Sequence, residues 1–305
     1  MKGPSTLPEF ETIFPDEESC WRRLRAVRWP KGFRCPRCGE RGAHALERRG
    51  LEQCAACRYQ ASVTAGTIFH GTRVPLRTWF LAIFFLARHK KGISALQLKR
   101  TVGLGSYKTA WLLLHKLRSA LAGGEKRLLH GLVEVDESFV GGRDIPGSTG
   151  RGSLGKTIVA LAVENRGEHA GRARLQVIPR VTHPEVLNFL CRSVDAERAQ
   201  IATDGLQVYR VLPEVGFRHR RRVHGDPRRA VQILPWVHRI AGNLKTWLRG
   251  TFHGVSGKHL QRYLDEFAYR LEHRWREHEL FDLVLGRAAA ATPLTYGALV
   301  AESAG

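Results

Sequence analysis

Four cysteines near the start of the chain form two Cys-x-x-Cys pairs, Cys35 with Cys38 and Cys54 with Cys57. The second pair begins 16 positions after the first one ends, which is close to the spacing of two zinc knuckles. Four thiolates fill a tetrahedral shell and leave no position for water, so they predict a structural Zn²⁺ site. A redox pair is the alternative, but a thioredoxin-like site needs one such pair beside a βαβ unit.

A second set of chemically capable side chains is acidic and lies far downstream. Asp136 belongs to an alternating, strand-like stretch, and Asp204 directly follows a short β-rich run 68 positions later. Carboxylates from distant segments can hold two Mg²⁺ ions about 3.5 to 4 Å apart, which clamp the attacking and leaving oxygens in phosphoryl transfer. In a ribonuclease H-like sheet these two strands are neighbours, so we expect Asp136 and Asp204 to share a magnesium site. Each aspartate alone could equally be a turn residue.

The charge balance predicts a polyanionic partner. The chain carries 49 Lys and Arg against 28 Asp and Glu, a net charge of +21, while its 43% hydrophobic content is that of an ordinary globular protein. These proportions exclude a disordered or collagen-like protein. The longest apolar run, Trp79 to Ala87, is about half a membrane span, and the chain does not open with a signal-peptide pattern. We therefore expect a cytoplasmic protein.

Three segments, which differ in their pattern of apolar residues, must position the cysteines and the aspartates. The cysteine segment has short β-prone pieces and little helical periodicity. An apolar stripe from Pro75 then predicts a helix, and two shorter helices follow it. After Gly131 the period becomes that of strands, in the order βββαβ followed by helices, one of which opens at Pro235. The predicted domains are a zinc ribbon over 10–72, a helix-turn-helix region over 73–124, a ribonuclease H-like α/β domain over 128–285 and a tail over 286–305.

The two shorter helices, Ser94–Arg100 and Ser106–Leu121, are joined by a glycine-bearing turn of the length used in helix-turn-helix units. The start of the second helix is where such a unit contacts DNA. The candidate DNA-binding residues are Ser106, Tyr107, Lys108 and Thr109. A helical hairpin without a DNA role explains the apolar pattern equally well, but the basic charge favours DNA. Arg218–Arg222, Arg228 and Arg229 add a basic strip.

Several long blocks, in order, resemble the ISXO-type insertion-sequence transposases. They are the two cysteine pairs, Ile93–Arg118, Val133–Gly142, Thr203–Gly205, Leu244–Ser256 and Lys258–Phe267. With the segments above, the resemblance implies a multidomain α+β protein with a zinc ribbon, a helix-turn-helix and a ribonuclease H-like α/β catalytic domain with a mixed sheet. It further implies a prokaryotic, nucleoid-associated DDE-type enzyme that nicks element ends with Mg²⁺ and joins the freed 3′-hydroxyl to target DNA.

The third catalytic ligand departs from the family pattern. Family members usually carry Glu, sometimes Asn, on the helix after the second Asp, with a basic residue seven positions later. Lys245 fits the basic residue, and the position seven earlier is His238. Seven residues are about two helical turns, so His238 and Lys245 share a face, whereas Asn243, the alternative ligand, points about 140° away from His238. Imidazole is a softer ligand than carboxylate, so Mn²⁺ is expected to be better tolerated than Mg²⁺, or the third position is weak.

Three functions fit these features. The first is a DNA transposase that binds element ends and target DNA as a homodimer or higher oligomer, with structural Zn²⁺ and catalytic Mg²⁺ or Mn²⁺. The second is a catalytically decayed, transposase-derived DNA-binding protein. The third is a zinc-ribbon nuclease or resolvase, which would cleave DNA without strand transfer.

Overall fold

The computed structural model describes residues 2–46, 49–122, 127–141, 155–222 and 233–301. The chain divides into two compact units: Met1–Ala122 together with Trp275–Gly305, and Gly123–Arg274. Residues 275–285, which are predicted to belong to the ribonuclease H-like domain, lie in the first unit. The predicted boundary near residue 124 is close to the division between the units.

Two helices precede the cysteine pairs, α1 (Leu7–Ile13) and α2 (Glu17–Arg28). The expectation of little helix in this segment is therefore wrong. Asp16 begins α2 by accepting a hydrogen bond from the Ser19 amide at 2.8 Å, which satisfies a backbone donor of the first turn. Three strands follow, β1 (Ala43–Leu46), β2 (Leu51–Cys54) and β3 (Gln60–Ser62), and they form an antiparallel sheet in that order.

The next three helices are α3 (Leu76–Arg88), α4 (Ala95–Thr101) and α5 (Tyr107–Leu121). Their bounds agree with the predicted helices to within one residue because each carries a regular apolar stripe. Ser94 caps α4 by accepting a hydrogen bond from the Gln97 amide at 3.2 Å. Leu98 of α4 and Leu114 of α5 are fully buried.

The second unit contains a mixed sheet of five strands: β4 (Leu129–Val140), β5 (Thr157–Asn165), β6 (Ala170–Ile178), β7 (Val194–Thr203) and β8 (Arg218–Arg221). The strand order is β6-β5-β4-β7-β8. The first three strands pair antiparallel, whereas β4 with β7 and β7 with β8 pair parallel. The predicted adjacency of the first and fourth strands of this unit is confirmed. Strand β8 lies at the edge of the sheet and is formed by Arg218–Arg221, which is part of the predicted basic strip.

Helices cover both faces of this sheet: α6 (His183–Ser193) on one, and α7 (Pro235–Phe252) with α8 (Gly257–Glu272) on the other. Side chains of β4 alternate between the two cores: Val133 and Val135 pack with α6, and Leu132 and Val140 pack with α7 and α8. The same alternation sends Glu134 and Asp136 to the α7 side. The helix that carries His238 therefore covers the strand face that carries Asp136.

Two last helices, α9 (Leu280–Ala290) and α10 (Tyr296–Ala301), belong to the first unit. Phe281 of α9 packs against aromatic rings of α1 and α3 and against Phe14. Asp282 accepts hydrogen bonds from Arg23 of α2, at 2.5 Å, and from the Gly3 amide, at 2.7 Å. These contacts explain why the first unit includes residues beyond 274. Within the described ranges, no helix combines the length and apolar content needed to cross a membrane.

Candidate functional site

The four cysteines converge on one point. The Sγ atoms of Cys35, Cys38, Cys54 and Cys57 all lie within 4.8 Å of one another. Cys35 to Cys57 and Cys38 to Cys54 are both 3.6 Å between sulfurs. A tetrahedral zinc site with Zn–S bonds of about 2.3 Å requires sulfur separations of about 3.8 Å. The structure thus confirms the predicted four-cysteine cluster and gives it the size of a zinc site.

The two cysteine pairs sit in matching backbone loops. The Gly39 amide donates to the Cys35 carbonyl at 2.9 Å, and the Arg58 amide donates to the Cys54 carbonyl at 3.1 Å. Both donor residues adopt a left-handed conformation, with φ of 76° at Gly39 and 58° at Arg58. Glycine adopts this conformation freely, whereas arginine does so at a cost. The repeated loop geometry is what brings thiols from two distant segments to one centre.

Strand pairing brings the two aspartates to one end of the sheet. In the parallel β4–β7 ladder Glu134 is opposite Ala202. Asp136 is two positions after Glu134 in the sequence, and Asp204 is two positions after Ala202. Asp204 lies just beyond β7, where its Oδ1 accepts a hydrogen bond from the Leu206 amide at 2.9 Å and shapes the turn. Asp136 on β4 and Asp204 in the turn after β7 therefore lie at the same end of two neighbouring strands.

His238 lies beside this pair. Its Nδ1 atom is 3.5 Å from Oδ2 of Asp136, and both side chains are partly exposed. Val237, Ile240 and Leu244 bury the opposite face of α7 in the core, which leaves His238 at the solvent-accessible edge. Asn243, the alternative ligand, is exposed. Glu266 of α8 is a carboxylate that follows both residues in the sequence. It is fully buried, and its Oε1 accepts a hydrogen bond from Arg270 Nε at 3.0 Å, so its role is structural.

Lys245 is electrostatically coupled to the same site. Partial desolvation lowers the pKa of Lys245, and the positive charges of Lys156 and Arg249 lower it further, while Asp136 opposes the shift. Lys245 and Asp136 are therefore close enough for their charges to interact. Among the described residues, the cysteine cluster is the group of three or more His, Cys, Asp or Glu side chains that could hold a metal ion as placed. Asp136, Asp204 and His238 do not form such a group.

Two residues of this site escaped the sequence analysis. The hydroxyl of Tyr209, which is almost fully buried, donates a hydrogen bond to the carboxylate of Glu137. Burial raises the pKa of Tyr209 well above its ordinary value, and Glu137, Asp136 and Asp204 raise it further. The charges of both aspartates therefore act on the Tyr209 hydroxyl. Glu137 could have been noticed as the neighbour of Asp136, but Tyr209 belongs to no motif.

The predicted DNA-binding residues lie where the second helix of the hairpin begins. Ser106, Tyr107 and Lys108 are exposed, and Thr109 is half-buried. The ammonium of Lys108 lies 4.1 Å from the ring centroid of Tyr296, at the start of α10. Within the basic strip, Arg218, Arg220 and Arg221 are exposed on the sheet edge. Arg228 and Arg229 lie outside the described residues.

The described residues thus combine a four-cysteine ribbon with a mixed five-stranded sheet, at one end of which Asp136 and Asp204 lie. Residues 128–272 match the ISXO2-like transposase domain family, and residues 15–60 match the transposase zinc-ribbon domain family. Together the two matches cover more than half of the chain. The chain therefore belongs to the ISXO2-like transposase family, as the ordered sequence blocks predicted.

A full-length relative supports this assignment. The chain is 29% identical over 286 residues to an uncharacterized protein in transposable element ISH50 of Halobacterium salinarum, with 85% of this chain and 92% of the relative covered. Among solved structures, the Mos1 strand transfer complex is 14% identical, with 67% of this chain and 77% of that chain covered and a TM-score of 0.28. A pre-cleavage Mos1 transpososome is 13% identical, with 71% and 80% covered and a TM-score of 0.24.

Proposed function

We propose that this protein is the transposase of an insertion sequence, which binds the element ends and catalyses metal-dependent 3′-end cleavage and strand transfer. One observation carries the proposal: the paired part of β4 and β7 ends two positions before Asp136 and Asp204, and His238 lies 3.5 Å from Asp136. Family membership supports the reaction class. The strand order, with β4 between an antiparallel meander and a parallel crossover, supports a ribonuclease H-like catalytic domain.

The donor set suits hard divalent cations. Carboxylate oxygens of Asp136 and Asp204 are the ligands that Mg²⁺ and Mn²⁺ prefer, and the imidazole of His238 is better suited to Mn²⁺ than to Mg²⁺. Once bound, the cations would activate the attacking oxygen and stabilise charge on the leaving oxygen. The positive charges of Lys245 and Lys156 would attract the phosphates of the DNA strand.

The first unit would supply DNA recognition. Ser106, Tyr107 and Lys108 are exposed at the start of α5, the position from which a recognition helix contacts base edges and phosphates. The zinc ribbon would add a second contact surface. Because transposition joins two element ends, the active form is proposed to be a dimer or a higher oligomer.

A specific observation also favours a second candidate, a decayed transposase that binds DNA without cutting it. An imidazole stands where family members usually carry a carboxylate, and it lies within ion-pairing distance of Asp136. A protonated His238 would pair with the Asp136 carboxylate, which the first proposal assigns to a cation. Both candidates predict DNA binding, so only the chemistry separates them.

Cleavage assays on the full chain test the proposal. The substrates are strand-labelled duplexes carrying the genomic DNA that borders the reading frame, incubated with Mg²⁺ or Mn²⁺. We expect nicking at the 3′ end by wild type and none by Asp136→Asn or Asp204→Asn, with DNA binding retained. Asp195→Asn is the matched control, because Asp195 lies at the opposite end of β7 and keeps its Oδ1 acceptor as asparagine.

Three outcomes separate the candidates. Nicking and joining by wild type support the transposase, and nicking without joining supports a nuclease or resolvase. Specific binding with no cleavage in either metal, with cleavage restored by His238→Glu, supports the decayed protein. Equal nicking by wild type and Asp136→Asn would place the active site elsewhere.

A further inference from the structure

A buried carboxylate connects the strand that carries Asp136 to the helix that carries His238. Glu134 of β4 is only 1% exposed. Its Oε2 accepts hydrogen bonds from the backbone amides of Trp236, at 2.8 Å, and Val237, at 2.9 Å. Its Oε1 accepts a third from Asn165 Nδ2 at 2.6 Å. Both oxygens are thus engaged within the protein, so Glu134 is not placed to bind a metal.

The two amides are those that a helix start leaves without partners. Helix α7 begins at Pro235, and the preceding residue, Leu234, provides no side-chain cap. The second and third residues of a helix, here Trp236 and Val237, normally donate to the capping side chain. Glu134 replaces that cap from a strand 102 positions earlier in the chain. Its negative charge also lies at the positive end of the helix dipole.

The Glu134 cap lies close to the proposed active site on both the strand and the helix. Glu134 precedes Asp136 by two positions on the same face of β4, and Trp236 precedes His238 by two positions on α7. The contact of Glu134 with the first turn of α7 therefore runs beside the contact of Asp136 with His238. Loss of the first contact would free the helix start that carries the imidazole.

We propose that Glu134 is a positioning residue, which anchors the start of α7 to β4 and so holds His238 beside Asp136. The metal-binding part of this inference rests on the proposed function, in which His238 and Asp136 share a cation. Because Glu134 acts through His238, removing Glu134 should weaken cation binding only in a chain that still carries His238.

A merely structural buried carboxylate would behave differently, and the same sheet provides one. Glu164 of β5 is also 1% exposed, but it binds Arg166 and Arg172 rather than the start of a helix. These arginines lower the pKa of Glu164 to about 2, against the desolvation that raises it. The hydrogen-bond donors to Glu164 lie on β4, on β6 and in the turn after β5, so Glu164→Ala removes a buried carboxylate without removing the Glu134 cap, and it is the matched control.

Mn²⁺ binding to the full chain, measured by electron paramagnetic resonance, tests the proposal. Outer partners of metal ligands typically contribute about tenfold or more to metal affinity. We expect Glu134→Ala and His238→Ala each to weaken Mn²⁺ binding about tenfold, and the double variant to stay within about twofold of His238→Ala. Glu134→Gln, whose amide oxygen can still accept from both backbone amides, should rescue binding. Glu164→Ala should bind Mn²⁺ like wild type.

Two results would overturn the proposal: Mn²⁺ binding by Glu134→Ala that equals wild type, or an additive loss in the double variant. If Asp136→Asn also binds Mn²⁺ like wild type, the proposed metal site fails rather than the anchor. Hydrogen exchange then decides the anchor. Faster exchange of the Trp236 and Val237 amides in Glu134→Ala than in Glu164→Ala supports it, and equal exchange overturns it. Glu134→Gln keeps both tests possible if the alanine variant does not fold.

Discussion

His238 Nδ1 and Asp136 Oδ2 lie 3.5 Å apart, although the two residues are 102 positions apart in the chain. The contact is long for a hydrogen bond and open enough for a cation to bridge both groups. The contact joins β4 to α7. Under the proposed function, this pair is where a catalytic cation would bind.

The identity of the third ligand is tested by His238→Glu. A carboxylate is a harder ligand than imidazole, so we expect this variant to keep or raise the nicking rate in Mg²⁺. His238→Ala should lower the rate, and by more in Mg²⁺ than in Mn²⁺. Asn243→Ala is the control, since Asn243 is exposed. An inactive Asn243→Ala beside a normal His238→Ala would show that Asn243 is the ligand.

The zinc ribbon is expected to depend on its metal. Only a few apolar side chains surround the cysteines, among them Phe33, Ala61 and Trp29. Cys54→Ser or chelation should therefore unfold the ribbon and leave residues 123–274 folded, because metal binding supplies most of such a module's folding energy. Hydrogen exchange checks this, with Cys191→Ser, an exposed thiol, as control. Elemental analysis of fresh protein should find one zinc per chain, and a zinc-free protein with a folded ribbon would contradict the assignment.

DNA binding by the start of α5 is tested by Lys108→Ala. The +21 charge predicts binding that falls steeply with salt, because each neutralised phosphate releases counterions. We expect Lys108→Ala to weaken binding to an element end by about tenfold and random duplex much less, as for a base-reading residue. Lys90→Ala, at an exposed lysine outside α5, is the control. An equal loss on random duplex would make Lys108 a phosphate contact.

The stability of the second unit should depend on pH through Asp265 of α8. Burial raises the pKa of Asp265 to about 6, although a hydrogen bond from Gln261 at 3.0 Å opposes the shift. The folded state then holds a proton that the unfolded chain releases near pH 4, so stability falls as the pH rises from about 4 through 6. Asp265→Asn should raise the free energy of unfolding by about 2 kcal/mol at pH 8 and change it little at pH 4.

Thermal unfolding of the full chain at both pH values measures this effect. Asp195→Asn provides the comparison for loss of one negative charge at the start of β7. An equal gain at pH 4 and pH 8 would show that Asp265 titrates normally and that the gain has another origin.

The sequence by itself determined what depends on neighbouring residues. Cysteine spacing predicted the four-sulfur cluster, because a knuckle is a local loop in which each pair binds one side of the metal. Apolar periodicity predicted α4, α5 and the strands of the second unit, because helix and strand periods are local properties. The ordered blocks predicted the family, and a ribonuclease H-like sheet predicted that β4 and β7 are neighbours, as they are.

Only the tertiary structure decided the contacts between distant segments. Glu134 reads in the sequence as a polar position of an alternating strand, yet it is buried and caps α7. Tyr209 carries no motif, yet it binds Glu137 beside both aspartates. The return of α9 to the first unit depends on Phe281 and Asp282 finding partners on α1, α2 and α3. Such contacts follow from the folding of the whole chain, since no periodicity or spacing links residues a hundred or more positions apart.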